Sequence, residues 1–219
     1  METSMFWIFV SRFGEAQILL PATLGACLWL AHRDDSRPVV IRWLAWMSIA
    51  AIVTTITKVA FMGWGIGSAT LDFTGISGHA MFASAVYPPL LFIIASSRSP
   101  ACERMAWLAG FVLALMIGVS RVMVGAHSWS EVVAGLAIGC AVSMSTLWMA
   151  RTRHPSVPLW LPLGVAAWLA IMPVHAPAST THDMVTRLAL KLSGRHVPHT
   201  RAELHRHGRI GSPIFTGQI

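Results

Sequence analysis

Ser120-Arg121-Val122-Met123-Val124-Gly125-Ala126-His127-Ser128-Trp129-Ser130-Glu131 separates two apolar stretches, 105–124 and 132–150. Each flank is close to the ~20 mostly apolar residues that a helix needs to cross a bilayer. A guanidinium, an imidazole and a carboxylate thus fall where one membrane helix ends and the next begins. Working outward, similar windows lie at roughly 16–31, 40–63, 79–96 and 158–175, which makes six in all. The whole chain agrees with this pattern. Of its 219 residues 55% are hydrophobic and only 11% charged, with a mean hydropathy of +0.62, whereas a soluble domain carries about 25% charged residues. Backbone groups in lipid are satisfied only by helices or closed barrels, and the alternating decades of a barrel are absent. The expectation is an all-α, polytopic membrane bundle of about six transmembrane helices in one domain, residues 1–175, followed by a basic tail, 176–219.

The net charge of +7 comes from sixteen Lys and Arg that are scattered through breaks and tail, so no nucleic-acid face is expected. Three breaks are basic: Arg33, Arg37 and Arg42; Arg98 and Arg104; Arg151 and Arg153. The two intervening breaks hold Arg121 alone, with Lys58 just inside the end of the second window. The positive-inside rule then puts the basic breaks in the cytoplasm and the other two outside. Chemistry carried on those two breaks shares the outer face, as a single site requires. Cys27, Cys102 and Cys140 have unrelated spacings and make neither a disulfide framework nor a zinc site. Residues 1–15 are too short to span and are expected along the outer interface, with no removable signal peptide. In the tail, Met184, Val185, Leu188 and Leu192 share a helical face opposite Arg187 and Lys191, as in a basic helix lying on lipid; a poorly ordered tail with one short helix is the alternative. His205 and His207 have no carboxylate or cysteine cluster that would complete a metal site.

Each polar residue has a plain reading and a chemical one. Ser128-Trp129-Ser130-Glu131 matches a capping box, in which Glu131 covers open backbone donors at a helix start. Four residues from His127, the same carboxylate can instead hold one ring nitrogen and leave the other for attack on phosphorus. Arg121 could snorkel to headgroups, or its planar fork could bind a phosphate. Ser77-Gly78-His79 precedes an apolar window and should form a helix N-terminus, which attracts anions; Ser77 is then also an ordinary cap. Lys58 is an isolated charge within an apolar stretch, and so a functional candidate or a snorkelling lysine. Asp72, in the same outer loop, reads as a turn residue.

Lys58, Ser77-Gly78-His79 and Ser120-Arg121-x5-His127-x3-Glu131, in this order, resemble the type 2 phosphatidic acid phosphatase (PAP2) family, integral membrane lipid phosphatases with a PAP2/haloperoxidase-like core. The resemblance covers residues 58–150. It implies His127 as nucleophile, His79 as general acid and Glu131 as orienter, with Lys58, Ser77, Gly78, Ser120 and Arg121 holding the phosphate and no metal or organic cofactor. The family has Asp at the place of Glu131, an Arg-Pro pair at the places of Gly65 and Ile66, and Pro at the place of Ile76. The activity implied is hydrolysis of a phosphomonoester or diphosphate of a membrane lipid through a phosphohistidine, on the outer face of a plasma or inner membrane. The alternative is a non-catalytic protein that binds or moves a phospholipid with the same cradle; vanadate-dependent halide oxidation belongs to soluble relatives.

Overall fold

The computed structural model describes residues 2–32, 35–96, 98–150, 160–175, 177 and 179–210, with side chains from 4 to 206. Arg33, Arg151, Arg153 and the side chain of His207 lie outside the described residues. The chain is all-α: α1 Glu2–Arg12, α2 Ala16–Ala31, α3 Arg37–Trp64, α4 Gly78–Ala95, α5 Pro100–Met123, α6 Trp129–Ala150, α7 Trp160–His175, α8 Thr181–Ser193 and α9 Arg201–Ile210. The connection after α3 holds an isolated antiparallel bridge, Ser68 to Phe73.

Among the described residues five stretches are long and apolar enough to cross a membrane: Ser4–Ala31, Arg37–Trp64, Gly78–Ala95, Pro100–Met123 and Trp129–Ala150. The first runs through α1 and α2 together. Residues 4–15 therefore belong to a longer apolar stretch, where the sequence alone suggests that residues 1–15 lie along the interface. Val10 of α1 is buried in the core and α1 packs on α5. The sixth window forms α7, 16 residues long, or about 24 Å at 1.5 Å per residue. It packs against α2, with Trp168 Nε1 donating to the Ile18 carbonyl at 2.9 Å.

α4 is the centre of the bundle. It is buried along its length, from Ala80 to Ala95, as expected of a helix that is apolar all round. Its two interior prolines, Pro88 and Pro89, lack the N–H groups that would bond the carbonyls of Ser84 and Ala85. Neighbouring helices supply replacements. Ser143 Oγ of α6 donates to the Ser84 carbonyl, and Trp43 Nε1 of α3 donates to the Ala85 carbonyl at 3.0 Å. Both prolines are thus accommodated by side chains from outside the helix. Close approach completes the packing: a Cβ on Gly110 of α5 would meet the Pro88 backbone at 2.6 Å, and one on Gly139 of α6 would meet the Met81 carbonyl at 2.3 Å.

The helical tail follows the expected period but faces differently. Val185 and Ala189 are buried against Val59, with Met62 alongside, while Met184, Leu188 and Leu192 stay exposed. One residue of the expected face thus rests on α3, and the rest stays exposed. Beyond α8 the chain returns to the C-terminal end of α3, where the His199 amide donates to the Met62 carbonyl at 2.9 Å, and continues as α9.

Candidate active site

Four chain segments meet at one end of the bundle: the last turns of α3 and α5 and the first turns of α4 and α6. Lys58 comes from α3, Gly78 and His79 from α4, Arg121 from α5 and His127 from the short loop before α6. All five line a cavity of about 830 Å³. The wall of this cavity is partly apolar, with Leu20, Ala51, Phe61, Met62 and Phe82 in it.

The loop that delivers His127 is a helix end closed on itself. The amides of Ala126 and His127 both donate to the Arg121 carbonyl, at 3.0 and 3.1 Å, and Gly125 takes a φ of +69°. The next helix starts with the expected capping box. Ser128 N–H donates to Glu131 Oε2 at 3.2 Å, and Glu131 N–H donates to Ser128 Oγ at 3.4 Å. The same carboxylate oxygen lies 2.6 Å from His127 Nδ1. Capping and orientation are alternatives in the sequence; in the structure one side chain makes both sets of contacts, because the cap curls Glu131 back over the residue that precedes it.

Glu131 is fully buried, and its second oxygen is equally occupied. Thr74 donates to Oε1 from its amide at 2.6 Å and from its hydroxyl at 2.5 Å, and Arg201 Nη2 lies 2.9 Å from both oxygens. Its own carbonyl accepts the Ser77 amide at 3.1 Å, which ties the start of α4 to the start of α6. With Nδ1 engaged, Nε2 is the nitrogen of His127 left for chemistry. Burial holds His127 below the ordinary imidazole pKa; the Glu131 hydrogen bond and charge oppose this, and the charges of Lys58 and Arg121 add to it. The neutral, nucleophilic form is thereby favoured.

Arg121 does not snorkel free. Its Nη1 donates to Ser11 Oγ at 2.9 Å, and its buried Nε has no hydrogen-bond partner among the described residues. Ser77 Oγ is likewise buried and without a partner there. Thr54 Oγ1, whose residue lines the same cavity, is a third such group, and a gathering of unsatisfied donors is unusual, since buried polar groups are nearly always bonded. Ser77, Ser120 and Glu131 stand behind the cavity wall. The Ser120 hydroxyl donates at 2.6 Å to the Ile117 carbonyl of its own helix.

Ser11, Glu15, Thr74 and Arg201 escape the sequence reading. Glu15 lines the cavity near Arg121, and Arg201 lines it from the tail. None has a local signal, because each reaches the site through contacts distant in sequence. Asp72 does occupy a turn, at φ +48°, and also binds Arg201 and His205 through its carboxylate at 2.6 and 2.7 Å. Gly65, where the resemblance puts an arginine, ends α3 in a left-handed conformation at φ +72°, and a Cβ there would meet the His199 ring at 3.3 Å. Among the described residues, no three His, Cys, Asp or Glu side chains gather as a metal site would need.

The sequence pattern of the PAP2 superfamily matches residues 61–155. The chain belongs to this family. A 22.5 kDa protein of the cps region of Klebsiella pneumoniae, named as uncharacterized, is 32% identical over 206 residues, which is 92% of this chain and 99% of that protein. Phosphatidylglycerophosphatase B of Bacillus subtilis is 30% identical over 70 residues, 31% of this chain and 34% of that enzyme. No solved structure gives a significant match. Membership in the PAP2 superfamily, together with the apolar helices, makes this a membrane protein of phosphatase type and points to lipid phosphates as substrates.

Proposed function

We propose that the protein hydrolyses a phosphomonoester or diphosphate of a membrane lipid by way of a phosphohistidine on His127. The observation that carries this reading is the buried His127–Glu131 pair, 2.6 Å apart, beside a cavity that also receives Lys58, His79 and Arg121. Lys58, Arg121 and the amides at the start of α4 neutralise the phosphoryl oxygens, and phosphoryl transfer depends on such positioning and electrostatics. His127 Nε2 attacks phosphorus as the bond to the lipid oxygen breaks, and His79 gives that oxygen its proton. The Nδ1 proton stays on the ring, and Glu131 balances the positive charge that develops. Water then attacks the phosphohistidine and gives its proton to His79; the N–P bond breaks and phosphate leaves.

The partly apolar wall suits a substrate whose chains remain in the bilayer while its headgroup enters the cavity. Arg37 and Arg42 begin α3, and Arg98 and Arg104 flank the start of α5, so both pairs lie at the ends remote from Lys58 and Arg121. By the positive-inside rule this supports a site on the outer face of the plasma or inner membrane.

The test is phosphate release by detergent-purified protein from phosphatidate, phosphatidylglycerol phosphate, an isoprenoid diphosphate and a lipid A phosphate. The partial similarity to phosphatidylglycerophosphatase B makes the second of these the first to try. The wild type should release phosphate from at least one, and His127→Ala should fold, insert and release none. Acid-labile, alkali-stable phosphate on the wild type should vanish in the variant. Substrate binding without release by the wild type would favour a lipid-binding protein instead.

A further inference from the structure

The tail contributes a wall to the cavity that the membrane helices leave open. His182, Thr186, His199, Thr200 and Arg201 line the same space as Lys58 and His127. Arg201 is the tightest of these contacts. Its Nη2 lies 2.9 Å from each oxygen of Glu131 and 3.2 Å from Thr74 Oγ1, while Nη1 lies 2.6 Å from Asp72 Oδ2 and donates to the Asp72 carbonyl at 2.9 Å. Asp72 is held in turn by His205, and the chain before Arg201 is fixed by the bond from His199 to Met62.

A carboxylate withdrawn from water needs a cation nearby. His127 cannot serve before reaction, because it must be neutral to attack. Lys58 and Arg121 face the cavity and make no hydrogen bond to Glu131. Among the described residues, the guanidinium on Glu131 is that of Arg201. We propose that Arg201 is a positioning residue, a clamp from the tail that fixes the Glu131 carboxylate and through it the His127 ring, so that the tail wall belongs to the active site. The proposal deepens the phosphohistidine reading and rests on it for the meaning of His127.

The charged or titratable groups that bear on His127 are Lys58 from α3, His79 from α4, Arg121 from α5 and Glu131 from α6, and Arg201 from α9 sits on Glu131 with Asp72 and His199 behind it. Removing the Arg201 charge leaves Glu131 a stronger partner for the imidazolium, so His127 should protonate more readily.

The experiment compares wild type, Arg201→Gln, Arg201→Lys and, as a control for loss of an exposed tail cation, Arg195→Gln. Arg201→Gln should lower kcat tenfold or more with a smaller change in KM, Arg201→Lys should recover part of the loss, and Arg195→Gln should match the wild type. Independently of turnover, NMR of histidine-labelled protein in micelles, with His127 assigned by difference against His127→Ala, should show its titration midpoint rising by roughly half a unit or more in Arg201→Gln. An unmoved midpoint, or a raised KM with kcat intact, would overturn the clamp. If the wild type releases no phosphate from the whole panel, the phosphatase reading fails while the titration still decides the role of Arg201. Should Arg201→Gln not fold, the Arg201→Lys titration takes its place: a single ammonium cannot hold Glu131 and Asp72 together as the two-nitrogen fork does, so a midpoint equal to wild type overturns the proposal.

Discussion

At the scale of single residues, Glu131 is the most demanding position. Asp, which the family resemblance favours there, would shorten the arm by one methylene. Here the longer arm serves His127, Thr74, the Ser128 amide and Arg201 at once, so Glu131→Asp should lower kcat about tenfold or more, and Glu131→Gln by roughly 10²–10⁴-fold, the scale of a general-base partner. Both are read from steady-state kinetics on the best panel substrate. His127 sets the pH dependence. Its folded pKa lies below the ordinary imidazole value of 6.5, so the acid limb of kcat/KM should appear only as pH drops through that lowered value, while the alkaline limb belongs to the general acid His79. The stability linkage has the same sign: below pH 6.5 the unfolded chain binds the proton that the folded one resists, so folding weakens on acidification and recovers fully above. A kcat/KM profile whose acid limb lies above 6.5 would contradict this account. The residues that bear this chemistry are legible in sequence because their spacing is local: four residues join His127 to Glu131, and six join Arg121 to His127. Thr74 and Arg201 are not, since 57 and 70 residues respectively separate them from Glu131. Ser120 gains its sequence assignment through its neighbour Arg121, and its hydroxyl bonds the Ile117 carbonyl of its own helix.

Among the elements, α4 shows how a helix with two adjacent prolines survives in the middle of a membrane protein. Ser143→Ala should leave the Ser84 carbonyl unsatisfied and cost about 1–3 kcal/mol, the usual penalty for a buried orphan; Trp43→Phe should do the same at Ala85 and also lose packing. Gly139→Ala should be worse, because its Cβ meets backbone, and it pushes α6 from α4, separating Glu131 from the start of the helix that bears His79. Thermal unfolding in detergent ranks the three, and activity should fall furthest for Gly139→Ala. Hydropathy locates the helices well, yet several begin earlier than their windows. Pro100 opens α5 behind the Ser99 cap, whose hydroxyl accepts the Cys102 amide at 3.3 Å, and a hydropathy window passes over such polar first turns. The face of α8 is also half-legible: its period is clear, but which stripe meets protein depends on Val59 and Met62 of a distant helix.

For the molecule as a whole, the paths of the helices make sidedness a sharp test. α7 starts at the end remote from the site and leads to α8 beside it, so the tail and the motif loops share a side. In a background without Cys27, Cys102 and Cys140, single cysteines at Thr70 and Arg195 should react together with an impermeant thiol reagent on intact spheroplasts, while one at Ser99 should not. Labelling at Ser99 alone would move the site to the cytoplasm; Thr70 and Arg195 on different sides would exclude the tail from it. At about 24 Å, α7 is short for a ~30 Å hydrocarbon layer, and the bilayer would thin locally around it at modest cost.

The clamp on Glu131 also has a meaning in time. Arg201 is synthesised 70 residues after Glu131, and the chain between them includes α7. On the proposed mechanism, His127 and its carboxylate are therefore synthesised well before their last partner. An insertion intermediate that has not yet threaded α7 would hold a complete set of motif residues and still lack the proposed clamp, and such a nascent protein should stay quiet among the lipids into which it is being inserted.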